Sequence, residues 1–325
     1  MRYIFVILGA ISLQGIAQSL KPNDPFVHTF SIVARDAKTG EMAVAVQSHW
    51  FSVGTVVSWG EAGVGVVATQ SFVNKSFGLR GLELLKQGKS PQEVLDILLS
   101  DDKGKEFRQV AIVDKLGRVA SHTGKSCVDV ASHSNGDGFS VQANMMLNDK
   151  VVPAMEKAWK ENESLAIAER MIEVLKAGQQ AGGDIRGKQS AALLVVSPQK
   201  TTTPWEDRLI DLRVDDADAP IPEIGRLLKV FRAYEHMNKG DLYVEKNEMQ
   251  KAMEEYNLAM KMFPDNLEMQ YWTAITLANN KDVMKAASML DAIYKKDANW
   301  RELTKRLPKA GLLTVSEKDM KELLR

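Results

Sequence analysis

Two stretches of alternating apolar residues flank a single turn, and they fix how the chain begins to fold. Phe30, Ile32 and Ala34 alternate with their neighbours, and Met42, Val44 and Val46 then do the same. A period of two belongs to a half-buried β-strand. Between the stretches, Arg35-Asp36-Ala37-Lys38-Thr39-Gly40 is a run of turn formers, so His28 to Ser48 is predicted to be a β-hairpin. A hairpin brings its far end back beside its start, which puts Gln47 and Ser48 next to Thr29. Their polar side chains can orient Thr29 or simply finish the strand. Thr29 opens the first strand, and it carries chemistry if it becomes the N-terminus. Its hydroxyl is too weak an acid to ionise at neutral pH, but an α-amino group with a pKa of roughly 7.7–8.0 can take its proton, directly or through a water. The plain alternative is an ordinary strand-opening threonine.

Upstream lies a targeting segment. Arg2 gives a positive start, Tyr3 to Leu13 is apolar apart from Gly9 and Ser12, and Gly15-Ile16-Ala17 supplies small residues for cleavage before Gln18. The run is short for a bilayer span, so residues 1–17 are expected to be a signal peptide rather than an anchor. The mature protein is then exported, periplasmic or secreted, with no stable membrane span. No cysteine stands at the cut, which argues against a lipid anchor. The single cysteine, Cys127, excludes an internal disulfide. Residues 18–28, with Pro22 and Pro25, read as a loose lead-in.

Past the hairpin, Thr55–Trp59 and Val64–Gln70 read as a second hairpin ending in Thr69-Gln70. Ser76–Gln87 reads as a helix. Ser90-Pro91-Gln92-Glu93 is a helix start with a cap, a first-turn proline and an acid three residues on. Strands are expected at Gln109–Val113, Arg118–His122, Ser126–Ala131 and Gly138–Asn144, helices at Lys150–Lys160 and Ser164–Ala177, and strands at Ala191–Val196 and Leu209–Val214. This order lacks βαβ alternation and fits an α+β protein with antiparallel sheets covered by helices. Lys and Arg total 42 against 42 Asp and Glu. That balance gives no sign of a nucleic-acid or anionic-membrane partner.

Two motifs suggest ligands and fail on context. Gly182-Gly183-Asp184-Ile185-Arg186-Gly187-Lys188 resembles a phosphate loop, but Gln189 replaces the required Ser or Thr, and a helix precedes where a strand should. It reads as a glycine loop returning the chain to the sheet, from which Asp184 and Arg186 can reach a substrate. His122, Cys127, His133 and Asp137 match no zinc spacing. No metal and no cofactor is expected. Trp50-Phe51 reads as packing or as an aromatic platform at the sheet end.

The stretches Thr29–Asp36, Val44–Ser48, Ala68-Thr69-Gln70, Arg108-Gln109-Val110, His122-Thr123-Gly124, Gly182-Gly183-Asp184, Arg186-Gly187, Gln189–Leu193 and Asp211–Asp216 together resemble the family called domain of unknown function 1028. The resemblance covers Thr29 to Asp216. That family is similar to N-terminal-nucleophile (Ntn) hydrolases, whose fold is a four-layer αββα sandwich. The resemblance therefore implies amide hydrolysis with Thr29 as nucleophile and no particular substrate; a small amide or peptide is the expected partner. Gln47 and Ser48 would attend Thr29, and Asn144 reads as an oxyanion donor, since an amide N–H stabilises developing negative charge, or as a plain turn residue. Thr69, Gln70, Asp184 and Arg186 would form the substrate side. The sequence departs from the family in carrying residues before Thr29, so a second cut at His28–Thr29 is required. It also has Ala143 where Gly is usual between Gln142 and Asn144, and no Lys at a clear second-strand position.

After a linker at 217–222, helices dominate residues 223–325. Gly240, Tyr243, Ala252, Tyr256, Ala259 and Pro264 fall at the positions of a tetratricopeptide repeat. Ala274, Leu277, Ala286, Leu290 and Ile293 follow as a weaker copy about 34 residues on. Such a region binds a protein partner or packs as an appendage. Two functions follow. One is an exported Ntn-type amidohydrolase. The other is a non-catalytic binding protein that keeps the hydrolase fold and uses its cleft or helical tail.

Overall fold

The computed structural model describes residues 26–325, so the expected signal segment and most of the lead-in lie outside the described residues. The protein is a mixed α and β chain with antiparallel sheets and a helical C-terminal region. It divides into two compact units, and the boundary falls between Arg226 and Leu227. Among the described residues no helix is long and apolar enough to cross a membrane.

The first sheet contains β1 (Phe26–Val27), β4 (Ser58–Glu61), β5 (Gly65–Phe72), β6 (Arg108–Asp114) and β7 (Val119–Thr123). Its order is β1-β5-β6-β7, with β4 also on β5. The second contains β2 (Thr29–Arg35), β3 (Met42–Ser48), β8 (Ser132–Gly136), β9 (Phe139–Ala143), β10 (Ser190–Val196) and β11 (Arg208–Val214). Its order is β11-β10-β3-β2-β9-β8. The β2–β3 hairpin pairs Thr29 with Ser48 and Arg35 with Met42. Asp36 closes its turn by accepting the Lys38 and Thr39 amides, each at 2.8 Å, and Gly40 supplies the left-handed residue at φ 76°.

The two sheets pack face to face. Val33, Val44 and Val46 meet Val66, Ala68, Ala111 and Val113 between them. Residues two apart share a face, so Val67, Val110 and Ile112 point the other way. They pack under α2 (Ser76–Lys86) and α3 (Pro91–Ser100) with Phe77, Leu82, Val94 and Leu98. The outer face of the second sheet is covered by α4 (Val151–Glu161) and α5 (Ile167–Gln180). Burial on both faces explains why Ile32-Val33-Ala34 of β2 and Met42 to Val46 of β3 are continuously apolar, where a half-buried strand would alternate. The α3 start is the predicted one: Ser90 Oγ accepts the Glu93 amide and Glu93 accepts the Ser90 amide, with Pro91 in the first turn.

Three segments differ from expectation. Thr55–Trp59 is not one strand, because a short helix α1 (Gly54–Val57) precedes β4. Val53, Val56 and Val57 are all buried, and their i, i+3, i+4 spacing buries one side of a helical turn better than a strand would. Ser126–Ala131 forms no strand. Its end turns at Val130, φ 57°, and extended structure starts at Ser132. Residues 217–222 are not wholly a linker, because α6 (Pro220–Glu245) begins at Pro220. A proline at the start of a helix costs no hydrogen bond, and Ile221 and Ile224 are buried.

The C-terminal unit continues through α7 (Met249–Met262), α8 (Leu267–Asn279), α9 (Val283–Lys296), α10 (Asn299–Arg306) and α11 (Glu317–Leu323). Ala252, Tyr256, Ala259, Ala274, Leu277, Ala286, Leu290 and Ile293 are all buried. Gly240 is required by close approach: a Cβ there would lie 2.3 Å from the Tyr256 ring.

Candidate active site

The site is built around the carbonyl of His28, the residue before Thr29. Ser48 lies opposite Thr29 in the hairpin, and its hydroxyl donates to the His28 carbonyl oxygen at 2.5 Å. Arg186 Nη2 donates to the same oxygen at 3.0 Å. Two donors, one of them cationic, therefore polarise the carbonyl of the bond that ends at Thr29.

The Arg186 guanidinium is aimed by Asp184, which accepts from Nε at 3.0 Å and from Nη2 at 2.7 Å. Asp184 is buried and also accepts the His49 amide at 3.1 Å. The glycines make this placement possible. Gly182 and Gly183 have φ of 135° and 63°, and a Cβ on Gly182 would come 2.5 Å from Asn148 Nδ2. Backbone bonds from Leu147 to Gly183 (2.9 Å) and from Ile185 to Met145 (3.2 Å) tie the loop to the segment after Asn144.

Thr29 is fully buried. Its carbonyl accepts from the Asn144 amide at 3.1 Å and Gln70 Nε2 at 3.4 Å. Its hydroxyl is buried and has no hydrogen-bond partner. Buried hydroxyls are nearly always satisfied, which sets this one apart. The His28 ring bonds through Nδ1 to Asn144 Oδ1. Asn144 Nδ2 donates to Gln109 at 2.9 Å, so Asn144 Oδ1 is the acceptor and Nδ1 carries the ring proton. Nε2 is then an unprotonated, buried nitrogen without a partner. Burial pushes the His28 pKa down to about 4, and the bond to Asn144 opposes that shift without reversing it.

Beneath these groups runs a buried polar network that joins the sheets. Gln70 Nε2 donates to Gln109 Oε1 at 2.7 Å, and Ser31 Oγ donates to Gln70 Oε1 at 2.5 Å. Gln142 Nε2 donates to Ser31 Oγ at 2.6 Å, and Gln109 Nε2 donates to the Ala143 carbonyl at 3.0 Å. Two non-glycine residues beside the network, Ser71 (φ 71°) and Met145 (φ 58°), hold left-handed backbone. That conformation costs on the order of 1 kcal/mol or more and persists where the surroundings enforce it.

Of the sequence candidates, Thr29, Ser48, Gln70, Asn144, Asp184 and Arg186 converge here. Gln47 and Thr69 do not. Gln47 pairs with Phe30 and shares its face toward α5, where its amide is buried without a partner. Thr69 shares the Val67 face toward α2, and its hydroxyl lies 3.5 Å from the Asn74 carbonyl. Asn144 is not placed as a donor to the His28 carbonyl, because its side chain is directed at Gln109 through Nδ2 and at the His28 ring through Oδ1. Ser48 and Arg186 hold the carbonyl instead. His28 and Gln109 were missed as site residues, although a polar Gln109 inside the otherwise apolar Val110–Val113 strand marks a buried network.

The two histidines of the His122, Cys127, His133 and Asp137 group are engaged in ordinary hydrogen bonds: His133 Nδ1 bonds Thr123 Oγ1 at 2.8 Å and His122 Nε2 bonds the Lys105 carbonyl at 2.9 Å. Among the described residues no group of three or more His, Cys, Asp or Glu gathers into a metal site. Cys127 is buried, and burial raises its pKa, which makes it a poor nucleophile.

The chain belongs to DUF1028, a family of unknown function whose model matches residues 29–224. It is similar to protein SPO2555 from Silicibacter pomeroyi, a DUF1028 protein of known crystal structure. The two are 29% identical with a TM-score of 0.56, and the match covers 62% of this chain and 88% of that one. A comparison with curated proteins finds no match.

Proposed function

We propose that the first unit is an exported amidohydrolase of the N-terminal-nucleophile kind, built as a four-layer αββα sandwich, with Thr29 as nucleophile after the His28–Thr29 bond is cut. The reading rests on one observation: the His28 carbonyl oxygen is held by Ser48 and Arg186 while the Thr29 hydroxyl beside it is buried and unused. The family match also begins at Thr29. In the cut, Thr29 Oγ attacks the His28 carbonyl carbon and its proton passes to the Thr29 nitrogen. The C–N bond breaks to leave an ester between His28 and Oγ, and water hydrolyses that ester to a His28 carboxylate and a free Thr29 hydroxyl and amine. The amine then serves as base when Oγ attacks a substrate amide, and Ser48 and Arg186 stabilise the new oxyanion.

The test is intact mass and N-terminal sequencing of the folded chain over time. A chain beginning at Thr29 is expected. Arg186→Gln should slow its appearance by about 10²–10³, the usual cost of one oxyanion donor, and Thr29→Ala should abolish it. A folded chain that never loses residues before Thr29 sinks the mechanism.

The second reading, a non-catalytic binding protein, draws on the helical unit, which we read as tetratricopeptide-like. It contains a cavity of about 410 Å³ lined by Tyr234, Met237, Glu268, Trp272 and Leu312, among others. That size suits a few peptide side chains.

A further inference from the structure

The segment before Thr29 is not a loose tail. Phe26 and Val27 form β1, pairing with Phe72 and Ser71 of β5. They use the edge of β5 left free beyond β4, which ends opposite Ala68. Val27 and His28 are wholly buried, and Val27 belongs to the core between the sheets. The Phe26 ring sits 4.2 Å from Phe72 and 3.7 Å from the His28 ring, centroid to centroid, and Phe107 closes the far side of Phe72 at 5.6 Å. His28 adds its ring bond to Asn144 and its carbonyl bonds to Ser48 and Arg186. Every residue of the segment is thus recognised by side chain, and its backbone is recognised as an added strand.

The ester that the proposed cut leaves on Thr29 Oγ, with His28 as its acyl group, is the same species that attack on a substrate carrying that acyl group would form, so a groove that holds one also holds the other. From this, and resting on the amidohydrolase reading, we infer that the groove now filled by Phe26-Val27-His28 is the acyl-binding groove of the mature protein, and that its substrates are extended peptides cut after a residue resembling histidine. The residue at the scissile carbonyl carries an N–H donor for Asn144 Oδ1. The next one upstream is a small branched aliphatic side chain that fills the place of Val27. The third is aromatic and stacks on Phe72. The peptide backbone adds to β5 at Ser71 and Phe72. The released leader is the first product, and a short peptide acid of the same sequence is a product inhibitor.

The experiment compares N-acetyl-Phe-Val-His p-nitroanilide with N-acetyl-Ala-Ala-Ala p-nitroanilide on the chain after processing, with N-acetyl-Phe-Val-His acid as inhibitor. The expected result is at least a tenfold higher kcat/KM for the first anilide and competitive inhibition by the acid. Phe72→Ala should raise KM for the first anilide and shrink the preference. A processed chain that does not discriminate between the anilides, or that does not bind the acid, overturns this inference and leaves the amidohydrolase reading standing. A folded chain that keeps His28 joined to Thr29 and turns over neither anilide refutes that reading, and this inference falls with it.

Discussion

His28 makes the chain that carries it sensitive to acid in a way that can be worked from its surroundings. Burial lowers its pKa from the ordinary 6.5 to about 4. Below pH 6.5 the unfolded chain binds a proton at this ring that the folded chain refuses until about pH 4. Unfolding is therefore coupled to proton uptake across that window, and stability falls as the pH falls. The slope is about 1.4 kcal/mol for each pH unit, and the whole window is worth about 3 kcal/mol. Below pH 4 both states are protonated and the loss levels off. The perturbation is His28→Gln, which cannot titrate but still offers an N–H to Asn144, made in a Thr29→Ala background so that the leader stays attached. The assay is a urea titration at pH 4 to 7.5, followed by labelling of Cys127 with a pyridyl disulfide, which reacts with thiols in acid. Cys127 is the only cysteine and is buried in the first unit, so labelling reports the opening of that unit alone. The two proteins should run parallel above pH 7 and diverge below 6.5, with the histidine form losing more. Parallel curves down to pH 4 would show that the His28 ring accepts a proton in the folded state and would refute the argument from burial.

Two further outcomes follow from packing and hydrogen bonding. Gln109→Leu removes the acceptor for Gln70 and Asn144 and leaves two buried donors unpaired, so it should cost on the order of 3 kcal/mol, read as a lower urea midpoint by the same Cys127 labelling. Gly240→Ala places a methyl into the Tyr256 ring and should destabilise the helical unit by about 1–3 kcal/mol, despite the better helix propensity of alanine. A circular dichroism melt that does not move would contradict that close approach.

The hairpin and the buried positions of the helical unit were legible because period and spacing are local. The α3 start was legible because its cap, proline and acid lie within four residues. The site was legible only in part. Gln47-Ser48 and Thr69-Gln70 each present two adjacent polar residues, and in a strand only one of two neighbours can face a given side. Which one does so depends on the partner strand: Thr29 faces Ser48, and Phe30 faces Gln47. Adjacency alone cannot choose. Ser48 and Arg186, rather than Asn144, donate to the His28 carbonyl oxygen for a similar reason. The amide of Asn144 was claimed by Gln109, 35 positions away, and no local pattern announces such a contact. Thr55–Val57 misled because β-branched residues favour strands, while the burial of Val53, Val56 and Val57 follows a helical turn.

The carbonyl of His28 meets donors from positions 20 and 158 residues further along the chain. Those donors arrive together only when the hairpin has closed, α5 has docked and the glycine loop has been pinned against Met145 and Leu147. In an extended polypeptide the same peptide bond is as inert as any other. On the proposed reading, the cut at Thr29 is consequently an act that only a correctly assembled first unit could perform on itself, and a misfolded copy would stay marked by the residues it had failed to shed.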